Sequence, residues 1–130
     1  MHLFAVGLNF KHGVGHGVGS MLNVHEGPVG ISRAYEVEYE PGMCVSDEPG
    51  YYQDGEFGIR IENVIMVQNH STHDNSLCFE NLTVAPYCRE LIDKSILGDF
   101  WIKYINDFHA KCLEKLTPYI KEDARALAYV

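Results

Sequence analysis

The chain has no excess of positive charge. Ten Lys and Arg face 18 Asp and Glu, a formal charge of −8. Nucleic-acid binders carry a basic footprint, so no nucleic-acid partner is expected. No apolar run approaches the roughly 20 residues of a membrane-spanning helix, so no membrane partner is expected either. The first eight residues have no basic n-region and make a poor signal peptide. Cys44, Cys78, Cys88 and Cys112 include no C-x-x-C pair. That pattern favours reduced, packed thiols in a cytoplasmic protein over disulfides or a thiolate zinc site. Neither G-x-G-x-x-G nor G-x-x-x-x-G-K-[ST] occurs, which argues against a nucleotide site. Glycine is missing after Gly98, and acidic residues are missing before Glu26.

What is present fits one domain. The 130 residues are 46% apolar and 22% charged, an ordinary globular profile. Residues 12–19 read His-Gly-Val-Gly-His-Gly-Val-Gly, and glycine at every second position excludes a stable helix there. From Pro41 to Val67 the pattern is that of strands. One approaches a turn at Glu48-Pro49-Gly50. A second, Phe57–Glu62, puts Ile59 and Ile61 on one face with Arg60 and Glu62 on the other. Val64–Val67 reads as a more buried strand, Gln68–Asn75 as a polar loop, and Leu77–Val84 as a further short strand. After Arg89 the period becomes helical. Phe100, Trp101, Tyr104, Ile105, Phe108, Cys112, Leu113 and Leu116 form one apolar stripe. Pro118 is expected to interrupt that helix, with Thr117 as a cap and a last helix over residues 119–128.

Three segments carry residues suited to chemistry. His12 and His16 have the four-residue spacing of a helical H-E-x-x-H zinc site, but Gly13 stands where that motif has Glu. On an extended strand the two lie roughly 13 Å apart, too far to share one metal ion. At most one is a ligand, and the other should reach a different part of the same cleft. Glu48 ends an apolar strand where a carboxylate has no packing role. Glu62 sits inside an apolar alternation, where a carboxylate must be paired, neutral or bound to a cation. An ion pair with Arg60 is its plainest explanation. One His and two Glu make an oxygen-rich set suited to Mn²⁺, Co²⁺ or Zn²⁺. His25, beside Glu26, is a candidate proton donor or acceptor.

Taken together, these blocks resemble a known family. His12-Gly-Val-Gly-His16-Gly-Val-Gly, Asn23-Val-His25-Glu-Gly-Pro28, Asp47-Glu48-Pro-Gly-Tyr-Tyr52 and Phe57-Gly-Ile-Arg60-Ile-Glu62-Asn63 are similar to those of the X-prolyl aminopeptidases (aminopeptidase P), cytosolic type. Phe79-Glu-Asn-Leu-Thr83 followed by Pro86 extends the likeness over essentially the whole chain. The resemblance implies an α+β fold, the C-terminal half of a pita-bread domain, with a curved, mostly antiparallel sheet and C-terminal helices. It implies hydrolysis of the bond between an N-terminal residue and a following proline, with peptides of that type as substrates. It also implies two divalent ions, Mn²⁺ foremost with Zn²⁺ or Co²⁺ as alternatives, which activate a water and polarise the scissile carbonyl. By motif, His16, Glu48 and Glu62 would be metal ligands. His12 and His25 would contact substrate and stabilise the tetrahedral intermediate, and Arg60 and Tyr52 would shape the site.

The family also expects two aspartate ligands upstream of the glycine-rich histidine segment. All seven aspartates of this chain follow His16. Residues 1–130 are therefore expected to be the C-terminal part of a metallopeptidase catalytic domain, carrying three of five ligands, inactive alone, and prone to self-association or homodimer formation. The alternative is a non-enzymatic pita-bread relative used as a binding module.

Overall fold

The computed structural model describes residues 2–21 and 23–130, apart from the His2 side chain. The chain forms two compact units, one running to Thr83 and the other Val84–Val130.

The first unit begins with a short helix α1 (His2–Ala5) and then is all strand: β1 (Gly15–His16), β2 (Gly30–Ile31), β3 (Cys44–Asp47), β4 (Gly50–Gln53), β5 (Phe57–Arg60), β6 (Asn63–Asn69) and β7 (Leu77–Asn81). Every pairing is antiparallel. The strands form three ladders, β1–β2, β3–β6–β7 and β4–β5, and an isolated bridge from Gly17 to Val45 ties the first to the second. The core is small and centred on β3 and β6, where Val45 and Val67 are fully buried. Strand β3 is buried on both faces, with Val45 on one and Ser46 on the other. A serine is tolerated there because its hydroxyl is bonded on two sides.

The glycine run does what its composition predicts. Strand β1 lies so close to β3 that a Cβ on Gly15 would stand 1.8 Å from the Ser46 carbonyl oxygen. Only a residue without a side chain allows that approach. The Gly27–Pro28 peptide bond, which precedes β2, is cis.

Two strand expectations fail at their ends: β7 stops at Asn81, short of the expected Val84, and β5 stops short as well. Strand β5 stops at Arg60, and Glu62 lies exposed in the link to β6. The cause is the two-stranded ribbon itself. Strands β4 and β5 have no third neighbour, and Ile59 and Ile61 remain about half exposed at 47% and 52%. Glu62 is thus not a buried carboxylate. Nor is it the acidic partner of Arg60 among the described residues, since Arg60 turns to Glu48.

The second unit holds a 3-10 turn at Arg89–Leu91, α2 (Asp99–Ile120) and α3 (Ala124–Tyr129). Of the apolar stripe on α2, Phe108 and Cys112 are buried, whereas Phe100, Trp101, Tyr104 and Leu113 are exposed. Tyr87 covers Phe108 at 4.9 Å between ring centroids and donates its amide to His109 Nε2 at 3.1 Å. Pro118 does not break α2, contrary to expectation, and the helix runs through it to Ile120. Proline forfeits a single backbone bond there, the one an amide at 118 would give the Glu114 carbonyl, and only two residues of helix follow it. The Thr117 hydroxyl donates to the Leu113 carbonyl at 2.6 Å, as a residue inside a helix does and not as a cap. The cap is Asp123, whose carboxylate accepts from the amides of Arg125 and Ala126 and starts α3.

Candidate metal centre and substrate cleft

Six of the seven residues singled out in the sequence meet in one contact chain. They line or border a cleft of about 480 Å³ in the first unit. Its centre is Glu48, which follows β3 and is only 12% exposed at its side chain. One carboxylate oxygen, Oε1, lies 3.2 Å from His16 Nε2 and accepts from the Ser46 hydroxyl at 3.0 Å. The other, Oε2, lies 3.5 Å from Arg60 Nη1. His16 is placed by β1, and its ring packs edge-on against His25 at 4.2 Å between centroids.

The other half of the cleft is carried by the β4–β5 ribbon. Arg60 Nε donates to the Tyr52 hydroxyl at 2.9 Å, and Tyr52 reaches His12 Nε2 at 2.8 Å. Register makes this possible, because Tyr52 lies opposite Gly58 and Gly50 opposite Arg60. A Cβ at Gly50 would stand 2.4 Å from the Tyr52 hydroxyl oxygen, and one at Gly58 2.8 Å from its ring. The Tyr52 hydroxyl bond foremost, with the charges of Glu48 and Glu62 behind it, raises the Arg60 pKa and holds its guanidinium protonated. The charge of Glu62 is the smallest of these influences. The structure does not bring its side chain against the other six.

The two histidines of the glycine run are held alike. His12 Nδ1 lies 2.8 Å from the Gly13 carbonyl and His16 Nδ1 lies 2.9 Å from that of Gly17. A carbonyl only accepts, so each Nδ1 carries the proton and each Nε2 is directed into the cleft. They serve different ends of it, His12 towards Tyr52 and Arg60, His16 towards Glu48, although β1 holds only Gly15 and His16 and His12 lies before it.

This arrangement tests whether a metal ion fits. A neutral His16 with its proton on Nδ1 presents a lone pair to a carboxylate oxygen 3.2 Å away. Two acceptors so placed need a cation between or beside them, either a proton on Nε2 or a metal ion. A carbonyl behind the far nitrogen of a ligating imidazole is the usual support of a metal-binding histidine. His16 and Glu48 therefore fit a divalent ion. Among the described residues no third His, Cys, Asp or Glu closes on them to complete a metal cage.

Ser46 is the site residue that sequence reading missed. It accepts from the His16 amide at 3.0 Å while donating to Glu48, so it ties the two residues together. The available signal was its place two residues before Glu48, on the same side of an extended chain. Asp47 between them lines a separate apolar cleft with Phe4, Phe10 and Ile59, and burial pushes its carboxyl above the usual range. All four cysteines are free thiols, Cys112 buried and the others partly so.

The pairing of an imidazole with a carboxylate at one end of the cleft is compatible with several chemistries, and comparison with known proteins gives the class. Residues 2–69 match metallopeptidase family M24, and residues 75–130 match the C-terminal region of peptidase M24. The chain belongs to metallopeptidase family M24. Its similarity is to X-prolyl aminopeptidases in particular. It is 50% identical to a probable Xaa-Pro aminopeptidase P of Leptosphaeria maculans over 98% of this chain and 22% of that protein. It is 48% identical to that of Penicillium rubens over 94% of this chain and 21% of that protein. The crystal structure of an X-prolyl aminopeptidase from Caenorhabditis elegans, described as a cytosolic enzyme with a di-nuclear active site, superposes with a TM-score of 0.86 at 35% identity. The match covers 98% of this chain and 22% of that one. The chain thus spans about a fifth of the length of the curated relatives it matches.

Proposed function

We propose that this chain forms part of the catalytic domain of a metal-dependent aminopeptidase that releases an N-terminal residue from a following proline. The observation that carries the reading is the contact chain His12–Tyr52–Arg60–Glu48–His16–His25, which joins a ligand pair to groups able to hold a peptide. His16, Glu48 and Glu62 would hold divalent ions, Mn²⁺ by preference, and an ion pair there supplies an activated water and a polarised carbonyl. The chain's own residues do the rest. Ser46 keeps His16 and Glu48 in register. Arg60 is held charged beside Tyr52, so it can orient a peptide carbonyl. His12 presents Nε2, and a histidine there or at His25 can stabilise a developing oxyanion.

The two aspartate ligands that the family resemblance implies are not among residues 1–15. In this reading residues 1–130 are the C-terminal part of the domain and need those carboxylates from elsewhere. Exposed apolar residues such as Phe4, Ile59 and Ile61 favour self-association, and the dimeric, cytoplasmic character expected from the sequence belongs to the same proposal.

The test is release of arginine from an Arg-Pro-Pro tripeptide. This chain, metal-stripped and then resupplied with Mn²⁺, is compared with a longer version that includes the two aspartates. The longer version should be active and lose activity in His16→Ala and Glu62→Ala, while the chain alone is silent. Activity that survives either substitution overturns the ligand assignment, and full activity of this chain alone overturns the partition. Light scattering of the same samples should show assemblies larger than a monomer.

A further inference from the structure

Tyr35 borders the cleft together with His16, His25 and Glu48, yet it belongs to none of the motifs and to no link of the contact chain. It lies in the connection after β2, and a turn brings it back. The Tyr35 amide donates to the Ser32 carbonyl at 3.4 Å, and the Ala34 amide donates to the Ser32 hydroxyl at 3.1 Å. The ring comes to rest on Gly30, so closely that a Cβ there would stand 2.3 Å from Cε2 and 2.5 Å from Cζ of Tyr35. Gly30 pairs with His16 in the β1–β2 ladder, so the ring covers the residue directly opposite His16. Its backing is firm. Gly30 is buried and its carbonyl accepts from the Tyr39 hydroxyl at 2.9 Å, while the Tyr39 ring meets Phe79 of β7 edge-on at 5.8 Å between centroids. Tyr35 itself is 38% exposed, and its hydroxyl has no hydrogen-bond partner among the described residues.

We propose that Tyr35 is a specificity-determining residue, the wall against which the first residue of the peptide lays its side chain. The inference rests on the aminopeptidase reading above. In that reading the bond is cut beside His16 and Glu48, so the peptide extends to both sides of that pair. Arg60, Tyr52 and His12 hold one side with charge and hydrogen-bonding groups, which suit peptide carbonyls. The Tyr35 side offers an aromatic face, and Ser32 and Ala34, which line the cleft beside it, carry no charge. A supported, partly exposed ring supplies apolar contact area and makes no demand for a charged partner. It therefore favours a large apolar first residue such as leucine over glycine, which has no side chain to place there.

The experiment uses the longer version that includes the two aspartates, supplied with Mn²⁺, and compares hydrolysis of Leu-Pro-Pro with that of Gly-Pro-Pro. The unsubstituted protein should prefer Leu-Pro-Pro. Tyr35→Ala should lower the ratio of the two kcat/KM values about tenfold, chiefly by raising KM for Leu-Pro-Pro. Tyr35→Phe should keep the original ratio, because the ring and not the hydroxyl makes the contact. A ratio unchanged in Tyr35→Ala, a ratio lost in Tyr35→Phe, or a kcat lowered equally for both peptides would overturn the inference and leave the aminopeptidase reading standing. An unsubstituted protein inactive on both peptides would overturn that reading and this inference with it.

Discussion

Alanine at Gly15 and alanine at Gly13 are the same chemical change two residues apart, and the structure sets opposite outcomes for them. Neither glycine has a left-handed φ, so backbone preference does not separate them. Surroundings do. A Cβ at Gly13 meets nothing within 4 Å, whereas one at Gly15 stands 1.8 Å from the Ser46 carbonyl oxygen and 2.7 Å from its carbon. These are backbone atoms, which cannot rotate aside. Restoring ordinary contact requires β1 and β3 to part by about 1.5 Å. That movement breaks the bonds tying the two segments, Glu48 amide to Val14 carbonyl at 2.7 Å and His16 amide to Ser46 hydroxyl at 3.0 Å. Each such bond is worth about 1 kcal/mol net, and forced overpacking costs a further 1–3 kcal/mol, for a total of about 3–5 kcal/mol. Gly13→Ala should be neutral or stabilise by up to about 1 kcal/mol through the unfolded chain. In thermal unfolding followed by circular dichroism, Gly15→Ala should melt about 10 °C or more below Gly13→Ala. A difference of about 2 °C or less would show that the close approach of β1 to β3 is not what the glycine serves.

Two further outcomes follow from individual side chains. Glu48→Gln keeps the shape but removes the charge facing His16 and Arg60, so divalent-ion affinity measured by calorimetry should fall at least about tenfold; unchanged affinity would remove Glu48 from the ligand set. In the second unit, the Ser95 hydroxyl foremost and then its amide bind the Asp93 carboxylate and hold its pKa below the usual 3.8. A depressed carboxylate stabilises the fold above its unfolded value and loses that contribution as pH falls through the folded one. Ser95→Ala should therefore reduce stability at neutral pH, with the gap to the parent chain closing below the usual Asp value. A gap that widens in acid would contradict the assignment.

Much of the cleft was legible because its residues obey local rules. Alternating glycine denied residues 12–19 a helix, so His12 and His16 could not share one helical face, and they reach different ends of one site although only His16 lies on a strand. The one hint of Ser46 in the sequence is its place two residues before Glu48, and that place alone does not mark a serine as the clasp between β1 and a carboxylate. The sequence also mispaired Arg60. Alternation put Glu62 on the same face of one strand, but Glu48, twelve residues earlier, comes within reach through the β4–β5 register, a nonlocal fact. Pro118 misled for a different reason. It lies two residues from the end of α2, and the break falls later, where Asp123 starts α3 with capping bonds that the pattern of apolar residues does not reveal.

The two sides of the cleft rest on supports of unequal stiffness. His16 and Glu48 adjoin β3, the doubly buried centre of the unit, while Tyr52 and Arg60 ride on a ribbon of two strands with open apolar residues. A lone two-stranded ribbon is marginally stable in water. Amide hydrogens of β4 and β5 should therefore exchange well before those of β3 and β6. The His16–Glu48 side then persists through openings in which the Tyr52–Arg60 side loosens, so the cleft sets a fixed floor beneath a wall that yields.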